Sequence, residues 1–398
     1  MQWILFEDAC DEFYPLCELR PQWELRTGLG TLAERLTWRT GVPFTGWLCR
    51  SELLDLLAER GLESPHAGDA LCVNARVLEL DRESLDLLQP GEAYERDGAL
   101  LAARVTLPAG CRTPEGIAAL VTSRRPAPER WSLAHHLWDL VCDLPEHLEC
   151  DWRCHTPRTL PGGLHPSVVL MRPERISLAE DIRLGAYTVI DARQGPVLIE
   201  EGCEILPFCY IEGPCFIGPN SRLKAHTRLY GGCHLGPVSR VAGEVAESVI
   251  QGYSNKQHDG FLGHAYLGEW CNLGADTNNS DLKNNYGNVV VTLKGRPVKT
   301  GRRFVGLMMG DHSKTAINTM FNTGTVVGIF ANIWGGGFPQ TEIPAFSWGG
   351  PPGGFVPYRV NKALDTARVV MDRRQQVLSP AMAALATLRS AEAGHRED

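Results

Sequence analysis

The stretch at residues 199–241, IEEGCEILPFCYIEGPCFIGPNSRLKAHTRLYGGCHLGPVSRV, decides the fold because an aliphatic residue occupies every sixth position. A period of six matches neither the 3.6-residue turn of an α-helix nor the two-residue alternation of a β-strand. The aliphatic series consists of Ile199, Ile205, Ile211, Ile217, Leu223, Leu229, Leu235 and Val241. This hexapeptide repeat predicts a left-handed parallel β-helix, in which three hexads form one triangular coil.

A second register of small residues runs with the aliphatic one. Its members are Cys203, Cys209, Cys215, Ser221, Thr227, Cys233 and Ser239. A small side chain lets the backbone lie close to the core, and residues 18 apart, such as Cys215 and Cys233, are expected to stack in adjacent coils. The chain has thirteen cysteines and no CxxC pair. We therefore interpret the cysteines of this register as small apolar core residues rather than disulfide partners.

The repeat also indicates where the domains begin and end. It starts near Ile176, loosens after Val241, and returns at Leu267 before a polar excursion at 276–304 that ends in a predicted hairpin turning at 295–297. We predict an α/β domain at 1–155 and the β-helix at 166–350. A linker, a C-terminal helix and a tail whose last eight residues fray are expected at 351–398.

Composition narrows the classes of partner. A net charge of -8 gives no broad basic surface, so neither nucleic acid nor an anionic membrane is expected as a partner. The opening MQWILFEDAC is too short and acidic for a signal peptide, and no apolar run reaches membrane-spanning length, so we expect a cytoplasmic protein. The group His147, Cys150, Cys154 and His155 matches no established zinc-ligand spacing.

Residues 243–287, which end in WCNLGADTNNSDLKNNYG, resemble the acetyltransferase domain of the bifunctional enzyme GlmU. With ILFED at 4–8, LRPQWELRTGLGTL at 19–32 and MGDHSKTAINTMFNTGT at 309–325, the whole chain resembles a shortened, GlmU-related family of bacterial sugar nucleotidyltransferases. The resemblance implies a hexapeptide-repeat N-acyltransferase that uses acetyl-CoA, with glucosamine 1-phosphate as acceptor, in the synthesis of UDP-N-acetylglucosamine. It also implies a homotrimer with acyl-transfer sites between subunits.

The same resemblance suggests the residues of the acyl-transfer site. An amine must be neutral to attack a thioester, and a histidine is the usual base near neutral pH, so His258 is the candidate base. The resemblance places Lys224, Phe261, Asn272, Asn285 and Tyr286 at the sugar phosphate. A second GlmU lysine has no direct counterpart, and Lys256 is the candidate to replace it; Ala275 and Lys314 are candidate contacts of coenzyme A. Asn272 and Asn285 could instead close turns, and Lys314 could face solvent.

The front domain departs from the GlmU pattern. Where GlmU has a glycine-rich phosphate loop, this chain has ILFEDACDEFYPLCELRP, and Asn74 stands in place of the Mg²⁺-binding aspartate. If the domain still binds UTP, Arg20 and Arg26 could hold its phosphates. Mg²⁺ would then be needed, with Asp8, Asp11 and Asp69 as candidate ligands. Retention and loss of nucleotidyl transfer both stay open.

Three alternatives to acyl transfer remain at this point. The protein could be a sugar-1-phosphate nucleotidyltransferase only, or a non-catalytic β-helix that binds a nucleotide sugar. Some β-helix trimers bind zinc through histidines from two subunits and hydrate carbon dioxide. Candidate histidines for that class are His226, His234, His258, His264 and His312.

Overall fold

The computed structural model describes residues 1–394. Strands of the first half are β1 Gln2–Phe6, β2 Arg26–Thr27, β3 Gly30–Thr31, β4 Gly46–Leu48, β5 Gly68–Asn74, β6 Val77–Glu79, β7 Glu92–Arg96, β8 Ala99–Leu107, β9 Ser123–Pro126 and β10 Ser132–Leu133. The α-helices are α1 Leu32–Thr40, α2 Leu54–Glu59, α3 Arg82–Asp86, α4 Ile117–Leu120, α5 Asp139–Cys142, α6 Leu144–Trp152, α7 Val360–Asp372 and α8 Pro380–Glu392.

Short strands make up the second half. They are β11 Val169–Met171, β12 Ile176–Leu178, β13 Arg183–Leu184, β14 Val189–Asp191, β15 Val197–Ile199, β16 Glu204–Ile205, β17 Tyr210–Glu212, β18 Cys215–Ile217, β19 Arg222–Leu223, β20 Arg228–Leu229, β21 Cys233–Leu235, β22 Arg240–Val241, β23 Glu244–Ala246, β24 Ser248–Gly252, β25 Asn255–Lys256, β26 Phe261–Gly263, β27 Tyr266–Glu269, β28 Asn278–Asn279, β29 Val290–Leu293, β30 Arg296–Lys299, β31 Met308–Met309, β32 Lys314–Thr315, β33 Met320–Phe321, β34 Val326–Val327, β35 Asn332–Ile333, β36 Glu342–Ile343, β37 Ser347–Gly350 and β38 Gly354–Pro357.

The N-terminal part is the predicted α/β domain. Its six-stranded sheet has the order β4-β1-β5-β8-β7-β9, and β1 is parallel to both β4 and β5. These three strands end together, with Phe6 beside Leu48 and Asn74. In sheets with parallel strands, ligands bind outside the carboxyl ends, so this edge is where a nucleotide site is expected.

The second half is the parallel β-helix that the six-residue period predicts. One face is the nine-stranded sheet β12-β15-β18-β21-β24-β27-β31-β34-β36, here called the docked face. A second face, the cationic face, contains β13, β16, β19, β22 and β25 and continues through β32, β35 and β37. The third, the open face, contains β11, β14, β17, β20, β23 and β26 and continues through β28 and β33.

The core of the β-helix follows the two sequence registers. All eight aliphatic residues from Ile199 to Val241 are at most 1% exposed. Cys215 lies opposite Cys233 in adjacent strands of the docked face, as expected for residues 18 apart. The small residues also donate hydrogen bonds to corner carbonyls; Thr227 Oγ1, for example, donates to the Lys224 carbonyl at 2.6 Å. A small polar or thiol side chain therefore satisfies a carbonyl that the corner would otherwise leave without a donor.

The N-terminal domain packs directly on the docked face. Outward-facing apolar residues of that face, including Phe216, Val249 and Tyr266, join Phe13 and Leu140 of the front domain in one buried cluster. Burial of apolar area on this scale is the main force that holds two such units together. The two domains thus share a core.

The polar excursion at 276–304 includes β28, and β29 and β30 form its antiparallel hairpin. The turn residues are Lys294 and Gly295, both with positive φ (49° and 76°), so the turn lies one residue earlier than expected. Lys294 and Arg296 pair with Asp11 and Glu12 of the front domain. The hairpin therefore ties the β-helix to the loop after β1.

The C-terminal region contains two helices, although the sequence pattern predicted one. Helix α8 begins at a capping residue, Ser379, whose Oγ accepts a hydrogen bond from the Met382 N–H at 3.2 Å, and Pro380 occupies the first helical position. The fraying predicted for 391–398 is wrong for the first two residues, because α8 continues to Glu392, and residues 395–398 lie outside the described part of the chain. No helix within residues 1–394 is long and apolar enough to cross a membrane.

Candidate functional site

One corner of the β-helix brings several predicted acyl-site residues into adjacent coils. This corner, here called the His258 corner, joins the cationic face to the open face and consists of residues 224–226, 242–243, 257–260, 274–276 and 316–318. Backbone hydrogen bonds fix its stacking: the Asp276 N–H donates to the Asp259 carbonyl (3.0 Å), and the Asn318 N–H donates to the Ala275 carbonyl (2.8 Å). Lys224, His258 and Ala275 thus lie along one edge of the prism.

His258 is exposed at this corner. Its backbone carbonyl accepts a hydrogen bond from Lys256 Nζ at 2.8 Å, whereas its ring forms no hydrogen bond to any residue in 1–394. Asp259, the neighbour considered as an orienting group, forms no hydrogen bond or ion pair with the ring there. An exposed imidazole without a partner is accessible to a substrate, and a second subunit would have to supply any group that orients it.

Lys256 has a different position from the one expected. It lies opposite Val241 in β22 and β25, so its side chain occupies an aliphatic position of the repeat and is 2% exposed. Its ammonium donates to the carbonyls of Ala242 (2.9 Å) and His258 (2.8 Å). Burial lowers the pKa of Lys256 to about 8, although Asp259 opposes this effect. Lys256 therefore positions the His258 backbone and is too enclosed to bind a substrate phosphate.

Phe261 lies one strand beyond His258, on the open face. Its N–H donates to Asn278 Oδ1 at 2.8 Å, which links its coil to the next one. The Phe261 ring lies over Gly263, where an added Cβ would come within 2.4 Å of it, so a larger residue there would displace the ring. The ring is half-buried beside Asp281, a residue of the excursion.

Asn285 and Tyr286 lie in the excursion rather than at the His258 corner. Asn285 Oδ1 accepts a hydrogen bond from the Gly287 N–H at 3.0 Å, which is the turn-closing role considered as the alternative. Tyr286 is 66% exposed. Within residues 1–394 of a single chain, neither residue contacts His258. Their participation in one site would require a neighbouring subunit.

Asn272 and Lys314 are paired on the cationic face. Asn272 bridges Asn255 and Lys314 in three successive coils, and Asn255 Nδ2 donates to Asn272 Oδ1 at 3.4 Å. Lys314 Nζ donates to the His312 carbonyl at 2.8 Å, and burial lowers the pKa of Lys314. Asn272 and Lys314 line the same cavity, of about 490 Å³, which Gln257 also borders.

A larger cavity, of about 700 Å³, opens at the carboxyl ends of β1 and β4 in the front domain. Asp8 and Asp11 line it, together with Arg50, Arg124 and Lys294. Asp8 forms a two-pronged ion pair with Arg76, and Asp11 binds Lys294 at 2.8 Å. The hydrogen bond from Lys294 holds the pKa of Asp11 below its usual value, despite partial burial.

The three aspartates do not form a Mg²⁺ site. Asp69 lies at the start of β5, where the next residue, Ala70, is opposite Gln2, so it is at the far end of the sheet from Asp8 and is paired with Arg104 (2.9 Å). Among residues 1–394, no group of three potential ligands could hold a metal ion. The residues present therefore do not fit a resident Mg²⁺, and the metal assignment of Asp8, Asp11 and Asp69 is not supported.

Arg20 and Arg26 are not at the large cavity either. Arg20 is 4% exposed and pairs with Asp311 (2.6 Å) and Glu269 (3.3 Å) of the β-helix, so its guanidinium links the domains. Arg26 lines a separate cavity, of about 520 Å³, between the front domain and the docked face. The sequence does not reveal these positions, because the β-helix partners are far away in the chain: the Arg26 N–H, for example, donates to Tyr266 Oη at 2.7 Å across 240 residues.

The five histidines considered for zinc are dispersed. His226 stacks on Phe208 at 5.1 Å on the His258 corner, and His234 is buried against the front domain, where its Nδ1 donates to the Gly28 carbonyl at 2.8 Å. Burial, reinforced by Arg26, lowers the pKa of His234 to about 3. His312 stacks on Phe330 at 4.5 Å. This arrangement does not favour a shared metal site within one chain.

His264 lies on another corner and has two carboxylate partners. Its Nδ1 bonds Asp281 at 2.9 Å, and its Nε2 bonds Glu247 at 2.7 Å. Burial favours the neutral ring, but the two hydrogen bonds outweigh it and raise the pKa of His264 to about 9. His264 is thus an imidazolium at neutral pH, a role that the sequence did not reveal because Asp281 is 17 residues away.

Comparison with known proteins finds a family to which the front domain is similar. Residues 3–158 match the family of sugar nucleotidyl transferases. The resemblance to GlmU inferred from the sequence is confirmed by relatives that are about 35% identical. One is the bifunctional sugar-1-phosphate nucleotidylyltransferase/acetyltransferase of Sulfurisphaera tokodaii, 35% identical over 156 residues, or 38% of each chain. Another is the bifunctional protein GlmU of Ralstonia pickettii, 38% identical over 105 residues, which are 26% of this chain and 22% of the relative.

The chain therefore spans well under half the length of the curated relatives that it matches. Among solved structures, the UDP-N-acetylglucosamine acyltransferase of Francisella novicida is similar over 56% of this chain and 75% of its own, with 14% identity and a TM-score of 0.33.

Proposed function

We propose that the β-helix transfers an acetyl group from acetyl-CoA to the amine of an amino-sugar phosphate, with glucosamine 1-phosphate as the acceptor. The observation that carries this proposal is the exposed, unpartnered His258 ring on a corner that it shares with Lys224 and Ala275. Relatives that are named as nucleotidylyltransferase/acetyltransferases support it. The product would serve the synthesis of UDP-N-acetylglucosamine.

The reaction needs a group that first accepts a proton from the amine and then donates a proton to the leaving thiolate. His258 accepts a proton as the amine nitrogen attacks the thioester carbonyl, because the nitrogen becomes cationic when the new C–N bond forms. Collapse of the tetrahedral intermediate breaks the C–S bond, and the imidazolium returns the proton to the leaving thiolate. The oxyanion needs hydrogen-bond donors, and backbone N–H groups of the corner or the Asn272 amide are candidates. Lys224 would face the sugar phosphate.

A homotrimer would complete this site. The docked face is covered by the front domain, whereas large apolar residues remain exposed on the open face and the His258 corner, among them Tyr230, Met320 and Ile317. Exposed apolar residues grouped in this way indicate a protein interface. Packing of the open face against a neighbouring subunit would bring that subunit's Asn285 and Tyr286 towards His258.

Replacement of His258 by Ala tests the proposal. Loss of general-base help is expected to lower acetyl transfer by about 10² to 10⁴ while binding of the sugar phosphate is retained. His226→Ala is the matched control, since His226 is an exposed ring on the same corner that stacks on Phe208. A His258→Ala protein with wild-type turnover between pH 6 and 8 would rule out His258 as the base.

Sugar-1-phosphate nucleotidyl transfer is a second candidate function, and two observations favour it. Residues 3–158 match the sugar nucleotidyl transferase family, and the 700 Å³ cavity lies at the carboxyl ends of β1 and β4. Arg50 and Arg124 are cations of that cavity that could contact phosphates, in place of Arg20 and Arg26.

A single reaction mixture separates the alternatives. The protein is incubated with glucosamine 1-phosphate, acetyl-CoA, UTP and Mg²⁺, and every product is identified by mass. N-acetylglucosamine 1-phosphate alone would support the acyltransferase. UDP-sugar and pyrophosphate would add the second activity. Binding of a sugar nucleotide without any product would favour the non-catalytic alternative and contradict both enzymatic proposals.

A further inference from the structure

A cavity of about 490 Å³ lies where the residues after α7 cross the cationic face. Four successive coils contribute one aligned residue each to its floor, since Arg240 pairs with Asn255, Asn255 with Asn272, and Asn272 with Lys314. Arg373 and Arg374 form the opposite wall. The remaining lining residues are Tyr253, Gln257, Trp270 and Val370.

The cavity has a strong excess of positive charge. It is lined by Arg240, Lys314, Arg373 and Arg374 and by no aspartate or glutamate. None of these four cations forms an ion pair with any residue in 1–394. By contrast, Arg222, one coil before Arg240 on the same face, pairs with Glu204 at 2.8 Å.

Arg374 is held in place without being neutralised. Its Nη2 donates to Asn255 Oδ1 at 3.0 Å, and Asn255 is itself fixed to Asn272. Burial, followed by repulsion from Arg240 and Arg373, lowers the pKa of Arg374. A folded chain keeps such mutually repelling cations together at an energetic cost, and a bound anion would remove that cost.

We propose that this cavity, here called the Arg374 pocket, binds the phosphate groups of a phosphorylated substrate. The planar guanidinium groups of Arg240 and Arg374 can each donate two hydrogen bonds to the oxygens of a diphosphate, and Lys314 adds a point charge. Gln257, on the wall of the pocket, also belongs to the His258 corner, so the pocket adjoins that corner. The diphosphate of coenzyme A and that of a sugar nucleotide are the two sources of this chemistry.

Binding to the full-length protein, measured by titration calorimetry, tests the Arg374 pocket. The probes are pyrophosphate, coenzyme A, 3′-dephospho-coenzyme A and UDP-N-acetylglucosamine, and the choice of the last three rests on the proposed function. Pyrophosphate is expected to bind with an affinity that falls as salt rises. Of the larger probes, the one that binds more tightly identifies the natural source.

Arg374→Gln and Arg240→Gln are each expected to weaken binding about tenfold or more, because each removes a charge-assisted contact. Arg368→Gln is the control, since Arg368 is exposed on α7 and paired with Asp365. Helix α7 is anchored by Val360, Ala363, Leu364 and Ala367, all before Arg373, so the variants are expected to fold, and their thermal unfolding checks this. Failure of every probe to bind, or binding that both variants leave within about twofold, overturns the proposal.

Binding at the Arg374 pocket and acetyl transfer can fail independently of each other. His258→Ala is expected to bind pyrophosphate as the wild type does, because His258 does not line the pocket. Variant-sensitive binding without acetyl transfer would leave the Arg374 pocket standing and remove the acyltransferase. Acetyl transfer by a protein whose phosphate binding is unchanged in the Arg374 and Arg240 variants would support the acyltransferase and remove the Arg374 pocket.

Discussion

At the scale of single residues, the fold places charged groups where the repeat alone would put apolar ones. Lys256 occupies an aliphatic position of the β-helix, and its two carbonyl partners replace the water that its ammonium loses. Position 256 lies 15 residues after Val241, which is not a multiple of six, so the hexad register did not mark it as interior, and a lysine in a polar segment suggested a ligand contact. Only the pairing of β22 with β25 shows that Lys256 takes the place of an aliphatic residue.

The imidazolium of His264 predicts a pH-dependent stability. Its pKa of about 9 in the folded state exceeds the ordinary histidine value, so its contribution is complete below about pH 6.5 and is lost as pH rises through 9. We expect His264→Gln to lower the free energy of unfolding by about 2 kcal/mol at pH 6 and by much less at pH 9.5. Urea unfolding of both proteins across this range measures the difference, and a constant difference would contradict an ionised His264.

Lys256 predicts the opposite slope. Its pKa, lowered to about 8 by burial, lies below that of an unfolded lysine, so the unfolded chain binds more protons between about pH 8 and 10.5 and stability rises there. Lys256→Met is therefore expected to gain stability relative to the wild type at pH 7 and to lose that advantage by pH 10. The comparison of the two proteins by urea unfolding cancels the other titrating groups, including His264. An advantage that grows with pH would show that Lys256 is not desolvated.

At the scale of elements, the backbone conformation of the β-helix corners does not follow from the six-residue period. Many corner residues have positive φ and are not glycine, among them Tyr253, Trp270, His312 and Phe330. These rings stack on one another at the corner between the docked and cationic faces, which compensates the unfavourable backbone conformation. Helices α7 and α8 then pack on the end of this stack, since Phe330 shares a buried cluster with Leu364 and Leu385.

The cap of α8 gives an element-scale prediction. Ser379→Ala removes the side-chain acceptor of the Met382 N–H, and loss of such a cap costs about 1 kcal/mol. We expect local opening of α8 rather than global unfolding, because the β-helix core does not include this helix. Hydrogen exchange of the α8 amides measures it. Thr387→Ala, an exposed change within α8, is the control; equal effects of both substitutions would show that Ser379 is not a cap.

At the scale of the whole molecule, one buried ion pair joins the two domains. Arg20 and Asp311 are 4% and 2% exposed, and their contact is the reason that Arg20 cannot serve a nucleotide. Arg20→Met would leave Asp311 buried without its partner, and breaking such a pair costs about 3–5 kcal/mol. Thermal unfolding is expected to show this loss, with partial recovery in the double variant Arg20→Met, Asp311→Asn. A single variant as stable as the wild type would show that the pair does not hold the domains together.

The proposed trimer is the second prediction at this scale. The protein is expected to sediment at three times 43.8 kDa. Ile317, 68% exposed on the His258 corner, is expected to lie at the subunit interface, so Ile317→Glu should dissociate the assembly and reduce acetyl transfer with it. Val369→Glu, an equally exposed position on α7, is the control. A fully active monomer at micromolar concentration would contradict a site between subunits.

The sequence by itself determined the β-helix and the residues of its core. A six-residue period places every sixth side chain in the interior and residues 18 apart in the same column, and that geometry is local, so Ile199 to Val241 and the stacked Cys215 and Cys233 followed from spacing alone. The N-terminal α/β domain followed for the same reason, from short-range alternation of strand and helix patterns. His258 was proposed as the base from its resemblance to GlmU, and the structure places it at a corner.

Only the tertiary structure decided which charged residues meet. Arg20 faces Asp311 across 291 residues, and Asp69 lies at the opposite sheet edge from Asp8; neither relation has a signal in the sequence. The Arg374 pocket exists because the chain after α7 returns to the cationic face, where Arg374 meets Asn255. Coulombic and hydrogen-bonding partners depend on distance in space, and a periodic pattern fixes distance only within its own repeat.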